Sequence, residues 1–89
     1  MEVKLRLFDE EIREIIGEKE VILELQENST IEDLLNFIVA RYGNRLLDAL
    51  RKPEVRILLN GQGIEFFEDK DIKLNDGDRV AIISLTSGG

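Results

Sequence analysis

Apolar residues recur in two different periods along the chain, and the places where the period changes mark out the elements. Val3, Leu5 and Leu7 alternate with Lys4, Arg6 and Phe8, the period-two pattern of a strand with one buried face. Phe8 falls on the side otherwise held by Lys4 and Arg6. Ile12, Ile15 and Ile16 then recur at helical spacing within Asp9 to Ile16, and Gly17 is placed to cap that helix. Alternation returns from Glu20 to Gln26, with Val21, Leu23 and Leu25 on one face. Two strands linked this closely predict antiparallel neighbours joined by an elaborated hairpin.

Thr30 and Asp33 have the spacing of a capping box, with Asp in place of the usual Glu. Behind them Ile31, Leu34, Leu35, Ile38 and Tyr42 form a helical stripe that Gly43 ends. Such a stripe faces a core rather than a ligand. A short helical piece from Asn44 to Leu50 follows and stops ahead of Pro53, which disfavours helix at Lys52. Val55 to Leu59 reads as a strand, Asn60-Gly61 as a turn, and Ile64 to Phe67 as a short strand. Asn75-Asp76-Gly77-Asp78 is a tight turn in an acidic stretch. A calcium-loop reading fails there. With Gly77 at the invariant glycine of such a loop, apolar Ile72 would occupy the first ligand position. Arg79 to Ser84 is a buried strand.

This order of elements predicts an α+β roll, one main helix packed across a face of a mixed sheet. The first and last strands then lie side by side as a parallel central pair, which is the β-grasp arrangement. Residues 1–84 form that domain, and 85–89 form a flexible Gly-Gly tail.

Composition narrows the chemistry. The chain has 89 residues, 35% of them charged, and a net charge of -7, which suits a partner with a basic surface and argues against nucleic acid. No apolar run approaches the ~18 residues of a membrane span, and no signal-peptide pattern opens the chain, so the expected location is the cytoplasm. There is no Cys and no His, which removes thiolate nucleophiles, disulfides and the commonest general base. No catalytic side chain and no metal site are indicated. A chain of this kind enters a reaction as substrate or carrier rather than as catalyst.

The candidate reactive group is the carboxylate of Gly89. Gly88 and Gly89 lack a Cβ, so the end can thread a narrow channel. Leu85, Thr86 and Ser87 would occupy that channel with them. Parity along the strands supplies a docking surface, since side chains alternate across a sheet. If Val80 and Ile82 face the helix, Ala81 and Ile83 face away, and Leu58 and Phe8 do likewise on their strands. Phe8, Leu58, Ala81 and Ile83 are then an apolar patch beside the tail, an arrangement that marks an interaction site.

Several segments, taken in order, resemble one family. They are Arg13-Glu14-Ile15-Ile16-Gly17, Thr30-Ile31-Glu32-Asp33-Leu34-Leu35, Leu59-Asn60-Gly61, Leu74-Asn75-Asp76-Gly77-Asp78-Arg79-Val80 and the final Gly88-Gly89. Together they resemble the MoaD-type ubiquitin-like sulfur carriers, the small subunit of molybdopterin synthase. The ending is also similar to that of ubiquitin-related modifiers and small archaeal modifier proteins. The resemblance implies that an adenylating, ubiquitin-activating-like enzyme uses ATP to activate Gly89, which then carries sulfur as a thiocarboxylate with no permanently bound cofactor. It implies sulfur donation in molybdenum cofactor biosynthesis, with the large synthase subunit as partner. The sister functions it implies are sulfur donation to a tRNA thiolation enzyme and conjugation through Gly89 to lysines of target proteins.

Overall fold

A computed structural model describes residues 1–85. The expectations placed on Thr86, Ser87, Gly88 and Gly89 lie outside the described residues. The first strand, β1, spans Glu2–Leu7, and helix α1 spans Glu10–Ile16. Strand β2 follows at Glu20–Glu24, then α2 at Ile31–Tyr42 and α3 at Asn44–Leu50. Strands β3 and β4 are Val55–Leu59 and Gln62–Ile64, α4 is Phe66–Asp69, and β5 is Arg79–Ser84. The five strands form one mixed sheet in the order β2-β1-β5-β3-β4. Strands β1 and β5 are parallel and adjacent, with Leu5 beside Val80 and Leu7 beside Ile82. The pairs β1–β2, β3–β5 and β3–β4 are antiparallel. This is the β-grasp fold.

Helices α1 and α2 are closed by the residues their sequence places at their ends. Asp9 accepts a hydrogen bond from the Ile12 N–H at 3.0 Å, and Gly17, at φ 84°, ends α1 in the left-handed conformation that glycine adopts at least cost. At α2 the capping box is complete: Asp33 N–H donates to Thr30 Oγ1, and Thr30 N–H donates to Asp33 Oδ2 at 2.9 Å. Two further N–H groups of that first turn, on Ile31 and Glu32, donate to the carbonyls of Ile72 and Lys70. Residues 70–74 therefore strap the start of α2, and the strap buries Leu74.

The core lies between the helices and one face of the sheet. Val3, Leu5, Leu7, Leu23, Val80 and Ile82 line it from the strands, and Ile31, Leu34 and Ile38 line it from α2. Leu46 and Ala49 close it from α3, and Ile12 and Ile16 close it from α1. Ile15 and Tyr42, expected on the apolar stripes, pack only at the border of this cluster.

The segment after the β3–β4 turn departs from expectation. Asn60 and Gly61, at φ 51° and 84°, make a tight two-residue turn, so β4 starts at once and ends at Ile64. Phe66 and Phe67 then fall in α4 rather than in a strand. Glu65 N–H donates to the Asp69 carboxylate at 2.8 Å, and Asp69 N–H donates to the Glu65 carbonyl at 2.7 Å. That reciprocal bond closes a helical turn that β propensity alone does not anticipate.

The acidic turn before β5 has a structural task. Asp78 accepts from Asn75 N–H at 2.7 Å and from Asn60 Nδ2 at 3.1 Å. Asp76 accepts from Glu2 N–H at 2.7 Å, and Gly77 N–H donates back to the Glu2 carbonyl at 2.7 Å. The turn thus joins the start of β1 to the start of β5. Asp78→Ala removes two of these acceptors, and its expected cost is about 1–3 kcal/mol of stability. Urea denaturation checks it, and an unchanged midpoint would show that the turn is not a clamp.

Candidate functional site

Parity fixes which side chains leave the core. On β5, Val80 and Ile82 are buried, whereas Ala81 and Ile83 are only half-buried. On β3, Val55 and Ile57 are buried and Leu58 is half-buried. On β1, Leu5 and Leu7 are buried, and Phe8 beyond them is 47% exposed. Leu58 sits directly opposite Ala81, and Ile83 lies two residues further along β5, opposite Arg56. Phe8 N–H donates to the Ile82 carbonyl at 2.9 Å, which brings Phe8 to the Ile83 end of β5. Phe8, Leu58, Ala81 and Ile83 are therefore neighbours on the sheet face that the helices leave uncovered. Across β3, the partner of Leu58 is Gly63 on β4. A Cβ on Gly63 would lie 3.7 Å from the Leu58 side chain, so glycine there leaves the flank of Leu58 open.

The outward face also carries cations that an apolar parity argument passes over. Arg6 stands beside Ala81, and its guanidinium lies 5.2 Å from the centroid of the Phe8 ring. Lys4 stands beside Arg79, and both line a shallow cavity of about 220 Å³ with Glu2, Ile22 and Gly77. Ile22, 56% exposed, is a further apolar member of this face. The signal for these residues was present: Lys4, Arg6, Arg56 and Arg79 have the same parity as the apolar set. Selecting for apolar side chains hid them.

The parallel β1–β5 pairing sets where the tail leaves. Both strands run to the same end of the sheet, so the chain leaves β5 at the end where Phe8 lies. Leu85 is half exposed, and its N–H donates to the Glu54 carbonyl at 2.7 Å. The backbone is thus anchored one residue past β5. Nearby, Lys52 Nζ donates to Glu11 Oε1 at 2.5 Å and ties the end of α3 to α1. That hydrogen bond, with the charges of Glu11, Asp9 and Glu54, raises the Lys52 pKa against a smaller opposing effect of desolvation. With both groups charged the bond is present in the neutral range, and on the basic side it is lost as pH rises through the raised Lys52 value. Among the described residues no group of His, Cys, Asp or Glu is arranged to hold a metal ion. No helix there is long and apolar enough to cross a membrane.

Residues 6–89 match the ThiS family, and the chain belongs to it. It is a ubiquitin-like carrier of the ThiS/MoaD type, not a catalyst. Carriers of this family act through a thiocarboxylate on a C-terminal glycine. Small archaeal modifier protein 3 of Haloferax volcanii is 31% identical to the chain, and the match covers 100% of both. The solution structure of the Haloferax volcanii HVO 2177 protein is also 31% identical and superposes with a TM-score of 0.80, over 100% of this chain and 87% of that one. A putative molybdopterin converting factor subunit 1 from Pyrococcus furiosus shares the fold at 24% identity and a TM-score of 0.75, covering 97% of this chain and 99% of its own.

The two neighbouring isoleucines of β5 give a direct test of the two faces. Ile82→Asp places an unpaired charge in the core and is expected to cost several kcal/mol. Ile83→Asp puts a carboxylate on the open face opposite Arg56 and is expected to cost about 1 kcal/mol or less. Guanidinium melts of the two variants check this. Equal destabilisation would reverse the assignment of faces.

Proposed function

We propose that this chain carries sulfur on its terminal carboxylate, at Gly89, for molybdopterin synthesis. The observation that carries the proposal is the family match running through Gly88-Gly89, which three residues separate from a strand that ends beside an uncovered apolar face. A Gly89 carboxylate oxygen attacks the α-phosphorus of ATP on an adenylating enzyme, and pyrophosphate leaves. The resulting mixed anhydride has AMP as a good leaving group. A persulfide on a donor protein attacks the carbonyl carbon and expels AMP. A second thiol then cleaves the sulfur–sulfur bond, leaving the thiocarboxylate on Gly89 and a disulfide on the donor. The large synthase subunit accepts Leu85, Thr86, Ser87 and Gly88 in a channel and passes the sulfur to the pterin precursor. The chain supplies no acid or base in any step, in keeping with its lack of Cys and His. Phe8, Leu58, Ala81 and Ile83 hold it on each partner.

A second reading has its own support, because the 31%-identical relative is named a modifier. In it the same adenylate is formed, and Gly89 is then joined to lysine amines of target proteins. A tRNA thiolation enzyme as sulfur acceptor belongs with this branch. Intact mass of the protein from its native cells separates the outcomes, since exchange of oxygen for sulfur and isopeptide adducts differ in mass.

Deleting Gly89 should abolish ATP–pyrophosphate exchange while the melting temperature stays the same, because an end beyond the last strand contributes little to the core. Exchange at the wild-type rate by the truncated chain would end the proposal. Threading has a separate test. Gly88→Ala adds a methyl group and leaves the Gly89 carboxylate unchanged, so adenylation and sulfur transfer should fall by about tenfold or more if a Cβ does not fit the channel. Ser87→Ala adds no bulk and should be mild. Wild-type rates for both would rule out a narrow channel.

A further inference from the structure

The charge of the open face is opposite to that of the chain. The protein has 19 acidic and 12 basic residues, and its net charge of -7 by itself suggests a basic partner. Yet the outward positions of β3 and β5 are Arg56, Leu58, Arg79, Ala81 and Ile83, with no acid among them. The acids of this face, Glu2, Glu20 and Glu24, stand on β1 and the edge strand β2. Glu20 is already engaged by Arg6 at 3.4 Å and Lys4 at 3.9 Å.

The two arginines of the central strip are not neutralised in the same way. The Arg56 guanidinium donates to the carbonyls of Pro53 and Val55, which orient it without cancelling its charge. Arg79 has no ion-pair partner among the described residues. Asp78, its neighbour in sequence, spends its carboxylate on Asn75 and Asn60. The two arginines bracket the apolar set. Arg56 lies across from Ile83 near the tail, and Arg79 lies at the other end of β5. Four residues of strand and one interstrand step put their backbones roughly 14 Å apart.

We infer that the open face recognises a protein surface with an apolar centre and carboxylates at its margins, and that Arg56 and Arg79 fix the rotation of the carrier on that surface. This rests on the proposed function, since the surface meant is that of the adenylating enzyme. Each arginine is partly free of its own chain, so a carboxylate from a partner meets a guanidinium with unused donors and uncompensated charge. Two such contacts at a fixed spacing define the angle at which Leu85 points, which a single apolar patch cannot do. Charge at the margin acts mainly on encounter and orientation, and salt weakens it.

The test is ATP–pyrophosphate exchange by the adenylating enzyme from the same cells, with KM for the carrier measured at low and high salt. Arg56→Glu/Arg79→Glu is compared with Arg41→Glu, a reversal on α2 that changes net charge away from this face. The expected result is a KM raised about tenfold or more for the double variant at low salt, a change within about twofold for Arg41→Glu, and a gap that narrows at high salt. Arg79→Glu alone serves if the double variant melts early, because the Arg79 side chain makes no hydrogen bond or ion pair among the described residues. A double variant that matches Arg41→Glu, or a KM that falls, overturns the inference while wild-type exchange keeps the proposed function standing. Absence of exchange by the wild type overturns both.

Discussion

The parallel contact between β1 and β5 is the constraint on which the rest of the molecule depends. The two strands are separated by most of the chain, and no short turn can join parallel neighbours. Their register must therefore be set by contacts outside the strands. The turn 75–78 provides them: Asp76 and Gly77 grip Glu2, Lys4 N–H donates to the Asp78 carbonyl, and Asp78 holds Asn60 of the next hairpin. A slip of one residue would turn Val80 and Ile82 outward and bring Ala81 and Ile83 into the core. The clamp thus selects both the packing and the open face.

The two faces of the sheet have different duties, and the helices decide which is which. All three longer helices cover the same side, where their stripes fill the core. The opposite side keeps half-buried apolar residues without a helix of its own. It is narrow, because β4 is three residues long and presents Gly63 where a side chain would otherwise cover Leu58. The site of a carrier is in this sense what the fold omits. Among the described residues no metal-binding group is assembled, and under the proposed function the surface serves to place a chain end.

Much of this was legible in the residues because it rests on local rules. The Thr30–Asp33 box, the stripe from Ile31 to Ile38, the turn at Asn60-Gly61 and strand parity each follow from spacing alone. What was not legible depends on contacts distant in sequence. Leu74 is buried only because residues 70–74 cross the start of α2. Asp76 and Asp78 read as solvated acids in sequence, yet in the fold they hold backbone and side-chain N–H groups of other elements. The arginines of the open face were hidden for another reason. Net charge sums over the whole surface, and a partner meets only one side of it.

The central place of β5 has a consequence for how the protein comes into being. Without residues 79–84, β1 and β3 have no common neighbour, and the sheet falls into two unrelated hairpins. Pairing of β5 with β1 spans nearly the full sequence, a contact that closes late and slowly. A nascent chain on the ribosome, or one cut before this strand, has no route to the finished sheet. Closing the sheet and possessing β5 are one event: a chain that has paired β1 with β5 has already made the strand that leads toward Gly89.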